Sequence, residues 1–255
     1  MIDDKLAERA RYDRRAAHLR SELASGTRAA GAASVASYLR APYTFYEASI
    51  RERVNAGKSV LEIGSGTGEF TAAALAAGAA VTATDISQRS LEALSVRFAG
   101  LGARLTPRSA DMEALPFCEG EFDAVISAGS LSYGDNHTVA EEIYRVTKPG
   151  GCFICVDSLN HNPLYKINRY VHHRRGERTA STLRRMPTIE LIEAYGKRFG
   201  SIEVRYFGSA SWLMPVASKV IGDDATATLS DRIDRWIGVR RSAFKFVMIA
   251  TKMGG

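Results

Sequence analysis

The sequence predicts an open, mostly parallel α/β sheet with helices on both faces, and three observations carry that expectation. Val60-Leu61-Glu62-Ile63 is a short apolar run that passes into Gly64-Ser65-Gly66-Thr67-Gly68 and then into an alanine-rich stretch ending near Gly78. That is a strand, a tight turn and a helix in one unit. From 59 to 157, apolar runs alternate regularly with helical patterns, as in a parallel sheet crossed by helices. Two more runs, at 202–207 and 244–250, bring the expected sheet to seven strands.

Taken in order, residues 3–22 show helical periodicity, with Leu6, Ala10, Ala17 and Leu19 set among arginines. A Gly, Ala and Ser-rich stretch at 24–33 links them to a segment holding Tyr38, Tyr43, Phe45 and Tyr46 before Ile50 and Val54. Strands are expected at 59–63, 80–85, 104–109, 122–128 and 151–157, with helices near 67–77, 87–99 and 138–147. At Lys148-Pro149-Gly150-Gly151 the proline stops a helix and the glycines permit a tight return. Cys152 and Cys155 form a C-x-x-C inside an alternating apolar run, so they are expected as buried small residues, not as a redox or zinc pair. A helix starts near Thr188, and Leu229, Ile233, Trp236 and Ile237 recur at helical spacing.

With 255 residues and 45% hydrophobic content, the chain suffices for one elaborated domain. Three cysteines suggest no disulfide framework and hence a reducing cytoplasm. No run approaches the roughly 20 apolar residues of a membrane span, so a soluble protein is expected. The net charge of +6 favours anionic partners. It is concentrated at 158–187, where Lys166, Arg169, Arg174, Arg175, Arg178, Arg184 and Arg185 face Glu177 alone. That segment leaves the fifth strand at the edge where open α/β sheets bind ligands.

A glycine turn between strand and helix lets a ligand meet bare backbone beside unpaired amide donors. The spacing G-x-G-x-G differs from the G-x-G-x-x-G of dinucleotide sites, and Glu69 would repel a pyrophosphate. Asp85 ends the second strand about 20 residues on, the place for a carboxylate that accepts from ribose hydroxyls.

Glu62 through Gly68 resembles the first motif of the class I S-adenosylmethionine-dependent methyltransferases, with an acid two residues before the first glycine. Ser109-Ala110-Asp111-Met112-Glu113-Ala114-Leu115-Pro116-Phe117 resembles the D-x-x-x-L-P-F of the small-molecule branch, and Lys148 to Gly151 the family's K-P-G-G. The resemblance implies a Rossmann-like seven-stranded sheet whose last two strands are an antiparallel pair. An N-terminal helical lid (1–58) would cover a methyltransferase core (59–255) that bears the basic insertion at 158–187. It also implies S-adenosyl-L-methionine as cofactor, bound by Glu62, Gly64, Ser65, Gly66, Gly68, Asp85, Ile86 and Ser127. Asp111 would accept from the adenine amino group and the Met112 amide would donate to a ring nitrogen.

The expected reaction is O-methylation of a small anionic or glycan-type acceptor. Alternatives are N-methylation of a small molecule, an RNA or protein methyltransferase, and a nicotinamide oxidoreductase or non-catalytic nucleotide-binding module. Ser127-Ala128-Gly129-Ser130 stands where methyltransferases of nucleobase amines resemble N-P-P-Y, which disfavours a nucleic-acid base. No metal is expected. A hydroxyl acceptor needs a proton acceptor, and His161 and His137 follow the fifth and fourth strands at the ligand edge. Tyr43, Tyr46, Tyr133, Arg169, Arg174 and Arg175 are expected at the acceptor, with anionic lipid as the alternative partner of the basic segment.

Overall fold

The computed structural model describes residues 2–24, 31–100, 102–163, 165–167, 170, 179–237 and 240–254. Its centre is a seven-stranded sheet in the order β3-β2-β1-β4-β5-β7-β6. The strands are β1 (Ser59–Ile63), β2 (Ala80–Asp85), β3 (Leu105–Ser109), β4 (Phe122–Ala128), β5 (Thr147–Ser158), β6 (Gly200–Phe207) and β7 (Lys245–Lys252). All pairings through β5 are parallel, while β7 runs antiparallel between β5 and β6. The expected architecture is therefore present.

Side chains alternate across the sheet with period two. On β5, Phe153 and Cys155 join one buried cluster, and Cys152, Ile154 and Val156 join the other. The two cysteines of the C-x-x-C thus lie on opposite faces of one strand. Helices α5 (Asn136–Val146) and α7 (Ile189–Phe199) cover the first face through Ile143, Val146, Ile192 and Tyr195. Helices α2 (Ala41–Arg53) and α3 (Thr71–Ala76) cover the second. Between them in the chain lies α4 (Gln88–Arg97), capped by the Ser87 hydroxyl, which accepts from the Ser90 amide.

Two expectations change. Lys148 to Gly151 does not form a turn ahead of β5 but lies within it. The β4–β5 register shifts between Phe122 and Ala124, so the extra residues are absorbed as a bulge, with Gly150 at φ +75°. The segment 1–58 also divides in two. Tyr46 and Ile50 of α2 are wholly buried against the sheet, while α1 (Ile2–Ala24) lies over the ligand edge and Tyr43 of α2 borders it. Near the end of the basic segment lies α6 (Ala180–Arg184), and beyond it come α8 (Met214–Ile221) and α9 (Asp223–Ile237).

Candidate functional site

A cavity of about 370 Å³ opens where β1, β2, β4 and β5 end. Its floor is the glycine loop. The Ser65 amide donates to the Thr84 carbonyl at 2.9 Å and the Gly66 amide to Asp85 Oδ2 at 2.9 Å, tying the loop to the end of β2. Gly64 (φ +63°) is pressed against Ser130, whose Cβ would lie 2.4 Å from any added Cβ. Gly66 (φ +54°) is different, because a Cβ there would project into open space. Its bare backbone borders the cavity, as a ligand cradle requires. Gly68 faces away, toward Phe98 and Leu94 of the α4 region, so it serves loop packing and does not line the cavity.

Three carboxylates mark the floor. Glu62 is buried, and its Oε2 accepts from the Thr71 hydroxyl at 2.6 Å. Burial lifts its carboxyl to a pKa of about 7, with the Thr71 bond opposing the rise. Burial also raises Asp85, against the Ser87 and Gly66 amides that stabilise its charge. Asp111 stands at the far end, where Oδ1 accepts from the Glu113 amide at 3.0 Å. Ile86 and Met112 line the wall between, and the Met112 side chain packs on Gly134. Ser65 lines the cavity too, and its buried hydroxyl has no hydrogen-bond partner among the described residues. Ser127 does not reach the cavity. It lies one layer behind, its hydroxyl 2.6 Å from that of Ser130.

Helix α1 closes the top with Lys5, Glu8, Tyr12 and Arg15. Lys5 Nζ donates to Asp111 Oδ2 at 2.6 Å and Glu113 Oε2 at 2.7 Å, and the Ser87 hydroxyl donates to Asp13 at 2.5 Å. Glu8 is buried between α1 and α6, where it accepts from the Thr182 hydroxyl at 3.2 Å and pairs with Arg11 at 2.6 Å. None of these lid residues stood out in the sequence. Their only signal there is the density of charge on a helix that must cover a polar site.

The remaining wall is where an acceptor fits, and it contains Tyr43, Tyr133, Asp157, Ser158, Arg185 and Lys245. Tyr43 stacks on Phe70 at 5.0 Å, and Tyr133 meets Tyr12 edge to face at 5.6 Å. Asp157 is held by the Ser158 and Leu131 amides at 2.6 and 3.1 Å. Lys245 arrives here because β7 is antiparallel, which puts its first residue opposite Ser158 at the ligand edge. Neither Arg185 nor Lys245 forms an ion pair with a carboxylate among the described residues.

Several expected acceptor residues lie elsewhere. His161 Nε2 accepts from the Ile189 amide at 3.0 Å, so its lone pair caps the start of α7 and is not presented to the cavity. His137 is exposed in the first turn of α5, outside the cavity wall. Tyr46 is wholly buried, edge to face with Phe70 at 6.0 Å, and does not line the cavity. Arg169, Arg174, Arg175 and Arg178 fall outside the described residues.

Sheet order, glycine loop and carboxylates together define a class I S-adenosylmethionine-dependent methyltransferase fold. Within it, residues 60–151 match the methyltransferase domain family. A demethylmenaquinone methyltransferase of Clavibacter sepedonicus is 40% identical over 113 residues, spanning 44% of this chain and 46% of that protein. An uncharacterized protein of Mycobacterium tuberculosis is 38% identical over 111 residues, spanning 43% of this chain and 39% of its own length. The chain thus spans less than half the length of these curated relatives. Among solved structures, a phosphoethanolamine N-methyltransferase of Haemonchus contortus superposes with a TM-score of 0.58 at 19% identity. That match covers 84% of this chain and 53% of the other, which was solved with phosphomonomethylethanolamine and S-adenosylhomocysteine.

Proposed function

We propose that the protein transfers a methyl group from S-adenosylmethionine to a hydroxyl of a small anionic acceptor held beneath α1. The observation that carries this is the pairing of a cofactor cradle with two cationic side chains, Arg185 and Lys245, on one cavity wall. The cofactor fits the residues present. Asp85 offers lone pairs for ribose hydroxyls, Asp111 and the Met112 amide stand at the adenine end, and the Ser65 hydroxyl awaits a partner. S-adenosylmethionine supplies an electrophilic methyl on a cationic sulfonium.

This chain's part is alignment, since the acceptor oxygen must approach along the line of the carbon–sulfur bond. As the new carbon–oxygen bond forms, the carbon–sulfur bond breaks and its electron pair stays on sulfur. The acceptor proton needs a base, and with His161 and His137 outside the cavity wall, the carboxylates on the acceptor side are Glu8, paired with Arg11 at 2.6 Å, and Asp157, which accepts from two backbone amides. Asp157 is the better disposed of the two, because the Arg11 ion pair already holds the charge of Glu8. Arg185 and Lys245 bind the acceptor's anionic group.

A carbon of a quinone-type acceptor is the second reading, supported by the printed names of a demethylmenaquinone methyltransferase and a ubiquinone/menaquinone biosynthesis C-methyltransferase among the relatives. The test is to incubate the protein with S-adenosylmethionine and phosphorylated sugars, glycans or quinol analogues, and to measure S-adenosylhomocysteine by mass spectrometry. Turnover with anionic hydroxyl acceptors supports the proposal. Turnover with quinols alone selects the carbon reading, and absence of cofactor binding refutes both.

A further inference from the structure

Ser158 ends β5 in the cavity wall, opposite Lys245 in the register of β5 with β7. Its hydroxyl oxygen accepts from Lys245 Nζ at 3.3 Å. A serine hydroxyl that accepts from an ammonium still has its own proton to donate, and among the described residues nothing receives it. A ligand in the cavity can.

The two cations of the same wall are held in place by other means. Lys245 spends one of its three donors on Ser158 and lies 5.1 Å from the centre of the Tyr43 ring, which steadies the ammonium without consuming a donor. Arg185 follows α6, and its carbonyl accepts from Asn136 Nδ2 at 2.8 Å. The three segments that carry these side chains are also tied together within two residues of each. The Leu159 amide donates to the Phe244 carbonyl at 2.9 Å, and the Asn160 amide donates to the Pro187 carbonyl at 2.8 Å. A hydroxyl, an ammonium and a guanidinium are thus fixed on one side of the cavity from three separate elements.

The acids on this side are engaged by other groups. Glu8 is held by Arg11 and Thr182, Asp157 by the Leu131 and Ser158 amides, and Asp135 by the Thr138 amide and hydroxyl. The donors of Ser158, Lys245 and Arg185 therefore remain for a ligand. A carboxylate has two oxygens in one plane, and a single arginine fork satisfies both. A phosphomonoester has three oxygens around a tetrahedral centre, which suits three donors arriving from three directions.

We propose that Ser158, Lys245 and Arg185 form a phosphoryl subsite, in which the Ser158 hydroxyl donates to a terminal phosphate oxygen and selects a phosphomonoester over a carboxylate. That this phosphate belongs to the methyl acceptor rests on the reaction proposed above, but the subsite does not.

The test titrates inorganic phosphate into the full chain, with and without S-adenosylhomocysteine, and follows binding by phosphorus-31 line broadening. Phosphate should bind in both states, and acetate should displace it only at concentrations at least about tenfold higher. Ser158→Ala should weaken phosphate by about tenfold or more, the effect of one hydrogen bond to a charged group. Ser158→Thr keeps the hydroxyl and should weaken it by less than about threefold. Because the lost donor is neutral, Ser158→Ala should leave the salt dependence of binding as in the wild type, whereas Lys245→Met should flatten it. A flattened salt dependence in Ser158→Ala would show that the serine only positions Lys245, and would overturn the donor role. Phosphate that does not bind, that acetate displaces at equal concentration, or that binds Ser158→Ala as well as wild type overturns the subsite. With S-adenosylmethionine present, methyl transfer to glycerate as readily as to glycerol 3-phosphate would keep the hydroxyl reaction and overturn the phosphate selection. Phosphate bound as expected, with transfer to no anionic hydroxyl compound, would refute the reaction and leave the subsite intact.

Discussion

Lys5 Nζ lies 2.6 Å from Asp111 Oδ2, so the first turns of the N-terminal helix are tied by an ion pair to the end of the cavity assigned to adenine. The contact is part of what holds α1 down over the cofactor. Lys5 also reaches Glu113, and both acids are partly exposed, which limits the latch to about 1 kcal/mol. Lys5→Ala should therefore speed S-adenosylhomocysteine release by up to about fivefold in stopped-flow measurements, and added salt should have the same effect on the wild type. Release unaltered by both would place the holding force in the buried Glu8 contacts.

Asp85 carries the prediction that most directly concerns cofactor identity. Its Oδ2 orients the Gly66 amide while the carboxylate keeps lone pairs for the ribose, so Asp85→Ala removes a charged acceptor and loosens the loop. Cofactor affinity should fall by roughly 1.5–3 kcal/mol, the range for hydrogen bonds to charged groups. Titration calorimetry would detect this, and the wild type should bind S-adenosylmethionine but not NAD. Tight NAD binding would contradict the G-x-G-x-G argument.

Glu62 should show opposite effects on stability and binding. Its folded pKa of about 7 lies above the ordinary 4.5, so the native state holds the proton more tightly than the unfolded chain. The resulting stability is full below pH 4.5 and is lost as pH rises to about 7, by about 3 kcal/mol. Glu62→Gln should be indistinguishable from wild type in melting at pH 4 and more stable at pH 8. It should also bind the cationic S-adenosylmethionine less tightly at pH 8, because the ionised carboxylate is gone. A Glu62→Gln protein that melts lower at pH 8 would show that the charge is needed for folding itself.

The strands and the glycine loop were legible because their signals are local: a period of two on β5, an apolar run leading into three glycines on β1, and a carboxylate at the end of β2. The lid contacts were not, because Lys5 and Glu8 meet Asp111 and Thr182 across more than a hundred residues, and no periodicity encodes such a meeting. Lys245 was legible as strand but not as site. Only the antiparallel insertion of β7 carries it to the ligand edge, and nothing within 244–250 states that direction. His161 misled for the converse reason. Its place after β5 is right for a base, yet the Ile189 amide claims its nitrogen.

His161→Ala should accordingly affect folding more than chemistry. The bond to the Ile189 amide satisfies one of the unpaired donors at the start of α7, worth about 1 kcal/mol. Thermal unfolding should show a loss of that size, while the rate of methyl transfer at saturating substrates stays within about twofold. A fall of a hundredfold or more, the scale of a lost general base, would restore His161 to the catalytic role.

Arg185 and Lys245 test the acceptor proposal. They approach the cavity from different elements, α6 and β7, and neither has a carboxylate partner among the described residues, so both are available to an anion. A guanidinium grips phosphate or carboxylate through two parallel bonds that an ammonium cannot reproduce. Arg185→Lys should therefore raise the acceptor KM by about tenfold and Arg185→Ala by more, with Lys245→Ala intermediate. In all three variants S-adenosylhomocysteine affinity should hold, because its ribose and adenine are read as meeting Asp85, Asp111 and the Met112 amide instead. The acceptor KM of the wild type should also climb with salt, since both side chains are partly exposed. A KM indifferent to salt and to all three substitutions would move specificity to the aromatic side of the cavity, where Tyr43 and Tyr133 would select a flat, neutral acceptor.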